Sequence, residues 1–249
     1  MRPLGLPLLT NVEPPELLVH DEQEACPYLP DQQARFPLRL PIRRLSPEEL
    51  DARLAEGDRR HGTLLYRPSC GECSACEAIR VDVPAFELSR SHRRVLRRAE
   101  RELQIEWGPP RADAEAIALY DQHRFGRNLA REGAKAISAR SYEQFLVERC
   151  CDVQELRVRD AEGTLLAVAI VDHGATSLSA VYTHYDPAAG HYSLGTLAIL
   201  LQMQRAKETG RRWLYLGLYV GGCSAMEYKA RYRPHERLVD GAWRRFDAE

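Results

Sequence analysis

The second half of the chain switches repeatedly between strand and helix patterns, and this order limits the available folds more than any other feature. Residues 153–159 alternate as in a strand, a turn at Glu162–Gly163 leads into the run 164–171, and residues 176–185 again have the two faces of a strand. The last of these strands is predicted to place Leu178, Ala180 and Tyr182 on one face. A helix pattern follows at Ser193–Thr209 and ends before Gly210. An apolar strand at 213–220, a short helix at 226–231 and a last strand near 238–244 complete the order.

Antiparallel strands, a helix and a further central strand, in that order, predict an α/β (α+β) fold of the N-acetyltransferase (GNAT) type. Two more helices are predicted at 114–124 and 141–149. The breaker Gly108–Pro110 predicts a boundary between a smaller Cys-containing domain, 1–107, and an acyltransferase-like domain, 108–249. Prolines divide the first domain into short extended pieces, and Ser46–Glu49 predicts a capped helix start.

The overall charge gives no sign of a polyanionic partner. The 249 residues contain 35 Lys+Arg and 36 Asp+Glu, a formal net charge of -1, whereas nucleic-acid-binding proteins usually carry a basic excess. The sequence has no run of about 18 apolar residues that would span a membrane, and the apolar run near Met1 is too short for a signal peptide. We therefore expect a cytoplasmic protein whose 7 cysteines stay reduced.

One segment departs from this neutral average. Six arginines fall at helical spacing and would share one face of a helix that starts after Ser89 or Ser91. This arginine stripe consists of Arg90, Arg93, Arg94, Arg97, Arg98 and Arg101. Guanidinium groups match phosphate geometry, so the stripe predicts salt-sensitive contact with a nucleic-acid backbone. The alternative is a solvated face whose charges pair with acids elsewhere in the fold.

The cysteines suggest a metal site. Cys70, Cys73 and Cys76 have the two-residue spacing that turns neighbouring thiolates onto one ion, and Cys26 would supply a fourth ligand. Zinc and an iron–sulfur cluster use the same thiolates, and spacing does not choose between them. The alternative is a loop packed by reduced thiols.

The start of the helix at Ser193 lies where an acetyl-coenzyme A enzyme would carry its pyrophosphate loop, Q/R-x-x-G-x-G/A. Aligned on Gly195, the first position is Tyr192 and the last is Leu197, so coenzyme A is not expected. The free N–H groups of this turn still suit an anion or an ester oxygen.

Two further segments carry candidate site residues. Lys229, Arg231 and Arg233 lie between aromatic residues and would hold an acidic side chain or a terminal phosphate, unless they are plain surface charge. Tyr182 and Asp186 end a central strand, where diverging strands often open a pocket, although Asp186 also suits a turn.

Taken in order, these segments resemble one family. Its N-terminal region is matched by Cys26–Pro30, Leu65–Pro68 with the three clustered cysteines, Ile79–Arg80 and Ser89–Arg94. Its C-terminal region is matched by Leu178–Tyr182, Tyr185–Pro187, Ser193–Thr196, Tyr215–Gly217 and Met226–Pro234. Over roughly residues 20 to 240, the chain resembles the arginyl-tRNA–protein transferases, in particular their bacterial aspartate/glutamate leucyltransferase branch.

The resemblance implies transfer of an amino acid from aminoacyl-tRNA to the N-terminal amine of a protein that begins with Asp or Glu, which marks that protein for degradation. It also implies the acyltransferase fold and, through eukaryotic relatives, cysteines that bind an iron–sulfur cluster. The partners would be aminoacyl-tRNA and acceptor proteins, without a membrane or coenzyme A. Whether leucine or arginine is transferred stays open.

The chemistry of such a transfer assigns roles to the candidate residues. Conversion of an ester to an amide runs downhill, so no cofactor is required; an unprotonated α-amine must lie in line with the ester carbonyl. Tyr182, Asp186 or the leaving ribose hydroxyl would act as base, and N–H groups near Gly195 would hold the oxyanion. The substrates would contact Ser193, Leu194, Thr196, Tyr228, Lys229, Arg231 and Arg233. The tRNA backbone would contact Arg80 and the arginine stripe.

Two other classes of function stay open. One is a small-molecule N-acetyltransferase, which a coenzyme A thermal-shift titration would detect. The other is a non-catalytic RNA-binding module with a zinc knuckle, which would bind tRNA without forming a product.

Overall fold

The computed structural model describes residues 5–130 and 133–247. Its strands are β1 (Leu8–Leu9), β2 (Glu16–His20), β3 (Gln23–Ala25), β4 (Gln33–Arg35), β5 (Leu38–Pro41), β6 (Arg59–His61), β7 (Leu64–Tyr66), β8 (Cys76–Asp82), β9 (Gln104–Gly108), β10 (Val153–Arg159), β11 (Leu165–His173), β12 (Ser177–Tyr185), β13 (Trp213–Val220), β14 (His235–Val239) and β15 (Ala242–Phe246). Its α-helices are α1 (Pro47–Ala55), α2 (Arg90–Glu102), α3 (Ala114–Gly126), α4 (Ala139–Tyr142), α5 (Leu194–Glu208) and α6 (Ser224–Glu227).

An eight-stranded mixed sheet forms the centre of the fold, in the order β15-β14-β8-β13-β12-β11-β10-β9. β12 and β13 are parallel and are joined by α5, whereas the other neighbouring strands are antiparallel. A second sheet has the order β1-β2-β5-β7-β6, and β3 pairs with β4. The predicted α/β (α+β) class is confirmed. Strands from both sides of the predicted 107/108 boundary share the large sheet.

Helices cover both faces of the large sheet. On one face, α2 and α5 contribute Leu96 and Leu197 to a core that includes Val171 of β11. On the other face, α1, α3 and α4 pack against a core that includes Ile170, the neighbour of Val171. β11 is buried along its whole length because both faces are covered.

Capping chemistry sets the start of α1 as the sequence predicts. The Ser46 hydroxyl accepts a hydrogen bond from the Glu49 N–H, and the Glu49 carboxylate accepts one from the Ser46 N–H. Pro47 occupies the first helical position. The helix ends before Gly57, whose φ of +92° favours glycine.

The parallel pair β12 and β13 separates soon after it starts. The shared ladder covers only Ser177–Ser179 against Trp213–Tyr215, although the strands continue to Tyr185 and Val220. The pairing of β13 with β8 is also interrupted around Gly217, whose φ is +86°. Ligands of such sheets commonly bind outside the carboxyl ends of parallel strands.

A bulge on β12 corrects one predicted face. Opposite β11, the register moves from Ala180 directly to Tyr182, which leaves Val181 as an extra residue. An extra residue transfers the following side chains to the other face of a strand. Leu178 therefore lies in the core beside α5, whereas Tyr182 packs against the opposite core.

Two predicted elements differ from the structure. The helix predicted at 141–149 begins earlier, since Ser138 accepts the Ser141 N–H as its cap, and it continues as a π-helical turn at Glu143–Val147. The single last strand predicted near 238–244 is the hairpin of β14 and β15, turning at Asp240 and Gly241, both with positive φ. Among the described residues, no helix has the length and apolar character needed to cross a bilayer.

Candidate active site and basic surface

Helix α2 presents the arginine stripe as the spacing predicts. Ser89 is its N-cap: it accepts the His92 N–H at 3.1 Å, and His92 Nδ1 accepts the Ser89 N–H at 3.3 Å. Leu96 and Ala99 bury the opposite face of the helix. The stripe arginines are exposed apart from the half-buried Arg98.

Intramolecular ion pairs do not neutralise this surface. Within the part of the chain that the structure describes, Arg101 is the one stripe member with a carboxylate partner, Glu102 at 3.3 Å. Arg98 donates instead to the carbonyl oxygen of His191 at 2.7 Å, which ties α2 to the turn before α5. The alternative of a solvated face paired with acids is therefore not what the structure shows.

A cavity of about 570 Å³ lies between α2, the start of α5 and the segment after α6. We call it the α5 N-terminal cavity. It is lined by Arg94 and Arg98 of the stripe, by Ser193 and Thr196, and by Tyr228 and Arg231. Three arginines thus face this cavity, and the described residues that line it include no carboxylate. The cavity lies beyond the carboxyl ends of β12 and β13, where ligand sites are expected.

The first turn of α5, from which Ser193 and Thr196 line this cavity, has unpaired N–H groups. Ser193 has a left-handed conformation, with φ of +53°, and its side chain caps no helix N–H. Within residues 5–130 and 133–247, the amides of Leu194, Gly195 and Thr196 have no hydrogen-bond acceptor. Unpaired amides at the positive end of a 15-residue helix suit an anion or a developing oxyanion.

Gly195 allows a close approach at this helix start. A Cβ atom at this position would lie 3.4 Å from the ring of Tyr185, at the short limit of ordinary van der Waals contact. Tyr185 in turn accepts a hydrogen bond from Arg127 at 2.7 Å through its hydroxyl. The glycine lets the first turn of α5 pack directly on this aromatic ring.

The cations predicted at 229–233 separate into different environments. Tyr228 and Arg231 share one side of the 3₁₀ turn Tyr228–Arg231 and line the cavity, as residues three apart do in this geometry. Lys229 points inward and is only 7% exposed. Arg233 does not line the cavity; it donates to the carbonyl oxygen of Asp247 at 2.9 Å.

Lys229 and Arg59 of β6 occupy the region where β12 and β13 separate. Lys229 Nζ donates to the carbonyl oxygen of Leu218 on β13 at 2.6 Å, and Arg59 donates to that of Ala180 on β12 at 2.8 Å. Both side chains are buried, and no carboxylate of the described chain pairs with either. Burial, and next the charge of Arg59, lower the pKa of Lys229 to about 7.

The two predicted protein bases lie outside the cavity. Tyr182 packs on Tyr120 and Phe145, with ring centroids 5.5 Å and 5.4 Å away, and burial raises its pKa above the usual value. Asp186 accepts hydrogen bonds from Gln122 at 2.7 Å and from the Ala188 N–H at 2.8 Å, as turn chemistry predicts. Neither residue lines the α5 N-terminal cavity.

Arg80 is placed apart from the arginine stripe. It lies on β8, pairs with Glu236 at 2.7 Å and donates to the Tyr215 hydroxyl at 3.0 Å. Its guanidinium stacks between Trp213 and Trp243, at 3.9 Å and 4.0 Å from the ring centroids. The Arg80 guanidinium is thus surrounded by side chains of the same chain.

The sequence patterns did not identify His92 and Tyr232, which also line the cavity. Their rings are stacked, with centroids 5.9 Å apart and an interplanar angle of 7°. Burial lowers the pKa of His92 below its ordinary value. The sequence feature that could have identified His92 is its position three residues after the Ser89 cap, because a side chain at that position faces back toward the helix start.

The four predicted metal ligands lie near enough for their charges to influence one another. Burial, followed by the neighbouring thiols of Cys70, Cys26 and Cys73, raises the pKa of Cys76 to about 12. Cys26 and Cys70 each accept a backbone N–H at 3.4 Å. Thiols suit zinc or a cluster chemically, yet no group of three or more His, Cys, Asp or Glu side chains in the described residues is arranged to hold a metal ion.

Comparison with known proteins agrees with the motif resemblance. The family model for the N terminus of arginine-tRNA-protein transferases matches residues 24–94, and the model for the C terminus matches residues 115–239. The aspartate/glutamate leucyltransferase of Halorhodospira halophila is 39% identical over 88% of this chain and 92% of its own. The enzyme of the same name from Vibrio cholerae is 36% identical over 88% of this chain and 92% of its own.

Among solved structures, L-PGS from Bacillus licheniformis aligns with a TM-score of 0.48 and 18% identity over 69% of this chain and 58% of its own. The matches in sequence are far stronger and extend over nearly nine-tenths of the chain. By these matches, the chain belongs to the arginine-tRNA-protein transferase family.

Proposed function

We propose that the protein transfers leucine from Leu-tRNA to the N-terminal amine of proteins that begin with Asp or Glu, in the cytoplasm. The names of the relatives support leucine and acidic acceptors. All seven cysteines are unpaired, which fits a reducing compartment. The observation that carries the proposal is the α5 N-terminal cavity, where three arginines meet the first turn of α5 and no carboxylate is among the described lining residues.

The charge of the cavity favours an acidic acceptor and a neutral donor. Arg231 lines it without a carboxylate partner among the described residues and would pair with the side chain of an acceptor Asp or Glu. An arginyl side chain on the donor would meet Arg94, Arg98 and Arg231 and would be repelled. Leucine brings no charge, so the alternative of arginine as the donor is disfavoured.

The transfer itself is an aminolysis of the tRNA ester. The acceptor nitrogen forms a bond to the acyl carbon, the bond from that carbon to the ribose oxygen breaks, and the amine proton goes to the leaving oxygen. Amides of Leu194, Gly195 and Thr196 would stabilise the oxyanion on the carbonyl oxygen. Of the three bases that the sequence suggests, the leaving ribose oxygen is the one that needs no protein side chain in the cavity.

The arginine stripe would hold the tRNA backbone. Arg94 and Arg98 belong both to the stripe and to the wall of the cavity, so phosphates near the 3′ end of the tRNA would lie beside the reacting ester. Arg90, Arg93, Arg97 and Arg101 continue the same exposed face. Arg80 contributes to the sheet instead of to this surface.

No cofactor is needed for this chemistry in our proposal. A zinc ion or iron–sulfur cluster on Cys26, Cys70, Cys73 and Cys76 would be structural, because these thiols are absent from the cavity lining. Metal content by elemental analysis, with Cys70→Ser and Cys150→Ser as paired variants, tests this point. If Cys70→Ser loses metal and still transfers leucine, a structural role for the metal is supported. If Cys70→Ser stays folded and kcat falls, a structural role is contradicted.

The decisive experiment supplies labelled Leu-tRNA or Arg-tRNA to peptides that begin with Asp, Glu or Ala. We expect product from Leu-tRNA with the Asp and Glu peptides only. Transfer from neither tRNA would refute the enzymatic proposal and favour the RNA-binding module. A thermal shift on addition of coenzyme A would favour the acetyltransferase instead.

A further inference from the structure

A second cavity, of about 300 Å³, lies at the other end of α5. We call it the α5 C-terminal cavity. Its lining includes Arg44, Arg149, Arg211, Asp152 and His173. Three arginines thus face one carboxylate, and that carboxylate, Asp152, already pairs with Arg44 at 3.2 Å.

Two of these arginines retain unused donors. Arg149 donates to the carbonyl oxygen of Val147 at 3.4 Å, and Arg211 donates through Nε to that of Gly174 at 2.9 Å. Neither has a carboxylate within ion-pair distance in the part of the chain that the structure describes. Such guanidinium groups match the geometry of a phosphate group.

His173 supplies an independent sign that a ligand belongs here. It lines the cavity and is only 8% exposed, yet its Nε2 has no hydrogen-bond partner among the described residues. Burial, and then the charges of Arg211 and Arg205, lower the pKa of His173 to about 4. An unpaired buried nitrogen is costly, and a neutral imidazole that turns its ring toward the cavity can donate one N–H to a phosphate oxygen.

The position of this cavity connects it to the proposed transfer. α5 has 15 residues, so its two ends are about 22 Å apart. If the 3′ end of the tRNA reacts at the start of α5, the rest of the donor must lie on the surface nearby. A small anion would fill one cavity, whereas a nucleic-acid backbone would span the distance between both.

We propose that the α5 C-terminal cavity binds a backbone phosphate of the donor tRNA, away from its reacting end, through Arg149, Arg211 and His173. This inference rests on the proposed transfer from aminoacyl-tRNA. It adds a second anchoring point to the contacts of the arginine stripe, and it predicts that recognition of the donor extends beyond its 3′ end.

The test compares two donors, full Leu-tRNA and a trinucleotide that carries the leucyl ester on its 3′ ribose. In the double variant Arg149→Gln/Arg211→Gln we expect KM for Leu-tRNA to rise about 10-fold and KM for the trinucleotide ester to stay unchanged. His173→Gln should give a smaller rise for Leu-tRNA only. Arg212→Gln, outside this cavity, is the matched control, and thermal unfolding verifies that each variant is folded.

Equal changes with both donors, or no change with either, would overturn the inference. A thermal shift with inorganic phosphate that the double variant loses, without any change in KM for Leu-tRNA, would assign the cavity to a free anion and also overturn it. If the wild-type protein transfers leucine from neither donor, the proposed function fails. The affinities of the wild type and of the double variant for uncharged tRNA then test the phosphate contact separately: weaker binding by the variant supports it, and equal binding overturns it.

Discussion

Replacement of Lys229 by methionine should stabilise the protein at neutral pH, because the fold buries this ammonium group without a counter-charge. The residue is 7% exposed, and burial together with Arg59 lowers its pKa from 10.5 to about 7. A folded-state pKa below the unfolded one means that the folded state disfavours the protonated form. The cost is therefore complete below about pH 7 and disappears as the pH rises toward 10.5.

The size of the effect follows from these two values. A difference of about 3.5 in pKa corresponds to a cost of about 4 kcal/mol at pH 7 and about 2 kcal/mol at pH 9. Methionine keeps the unbranched apolar stem but leaves the Leu218 carbonyl oxygen without its donor, which costs about 1 kcal/mol. The free energy of unfolding of Lys229→Met should therefore exceed that of the wild type by about 3 kcal/mol at pH 7 and about 1 kcal/mol at pH 9.

Urea unfolding followed by tryptophan fluorescence at both pH values measures this difference. Lys207→Met is the matched control, since Lys207 is an exposed lysine on α5, and it should change stability little at either pH. A Lys229→Met variant that is less stable than the wild type at pH 7 would refute the reasoning. So would a gain that is equal at pH 7 and pH 9.

Three further predictions concern the basic surface and the cavity. Substitution of Arg93, Arg94 and Arg97 by glutamine should make the negative slope of log K against log salt for tRNA binding less steep by about 2. Gel-shift titrations at several salt concentrations measure this slope, with Arg244→Gln as the control. An unchanged slope would contradict the proposed role of the arginine stripe. Arg231→Gln should lower kcat/KM for Asp-starting peptides about 10-fold, the worth of one charge-assisted hydrogen bond, and steady-state transfer kinetics with no loss would exclude that contact. Ser89→Ala should lower the free energy of unfolding by about 1 kcal/mol through loss of the α2 cap, whereas Ser91→Ala should not; equal losses in chemical denaturation would disprove the capping argument.

Local patterns predicted those features that short-range chemistry controls. The arginine stripe was predictable because a serine cap and a spacing of three and four residues fix the helix and its face together. The order β12, α5 and β13 was predictable because a two-residue period gives way to a 3.6-residue period and then to a short apolar run. In each case the deciding interactions lie within a few residues of one another.

The positions of Tyr182 and Lys229 depend on features that no local pattern reveals. One extra residue on β12 moved Tyr182 to the face opposite Leu178. Lys229 and Arg231 are two residues apart on a 3₁₀ turn, so they cannot share a side, and only Arg231 reached the cavity. Arg59 came to the same region from β6, far away in sequence, and only the folded arrangement brings it beside Lys229.

The buried cations between β12 and β13 also limit which acyl carrier the fold accepts. A carrier that entered between the diverging strands would have to displace Arg59 and Lys229 from the carbonyl oxygens of Ala180 and Leu218. Both buried groups would then lack acceptors, and the Arg59 guanidinium, which stays charged, would cost several kcal/mol. A carrier that stays outside, along the exposed arginines of α2, meets no such cost, and only its acyl group needs to enter the cavity. The residues that lower stability at neutral pH therefore favour a donor held on the surface, which agrees with aminoacyl-tRNA and disfavours coenzyme A.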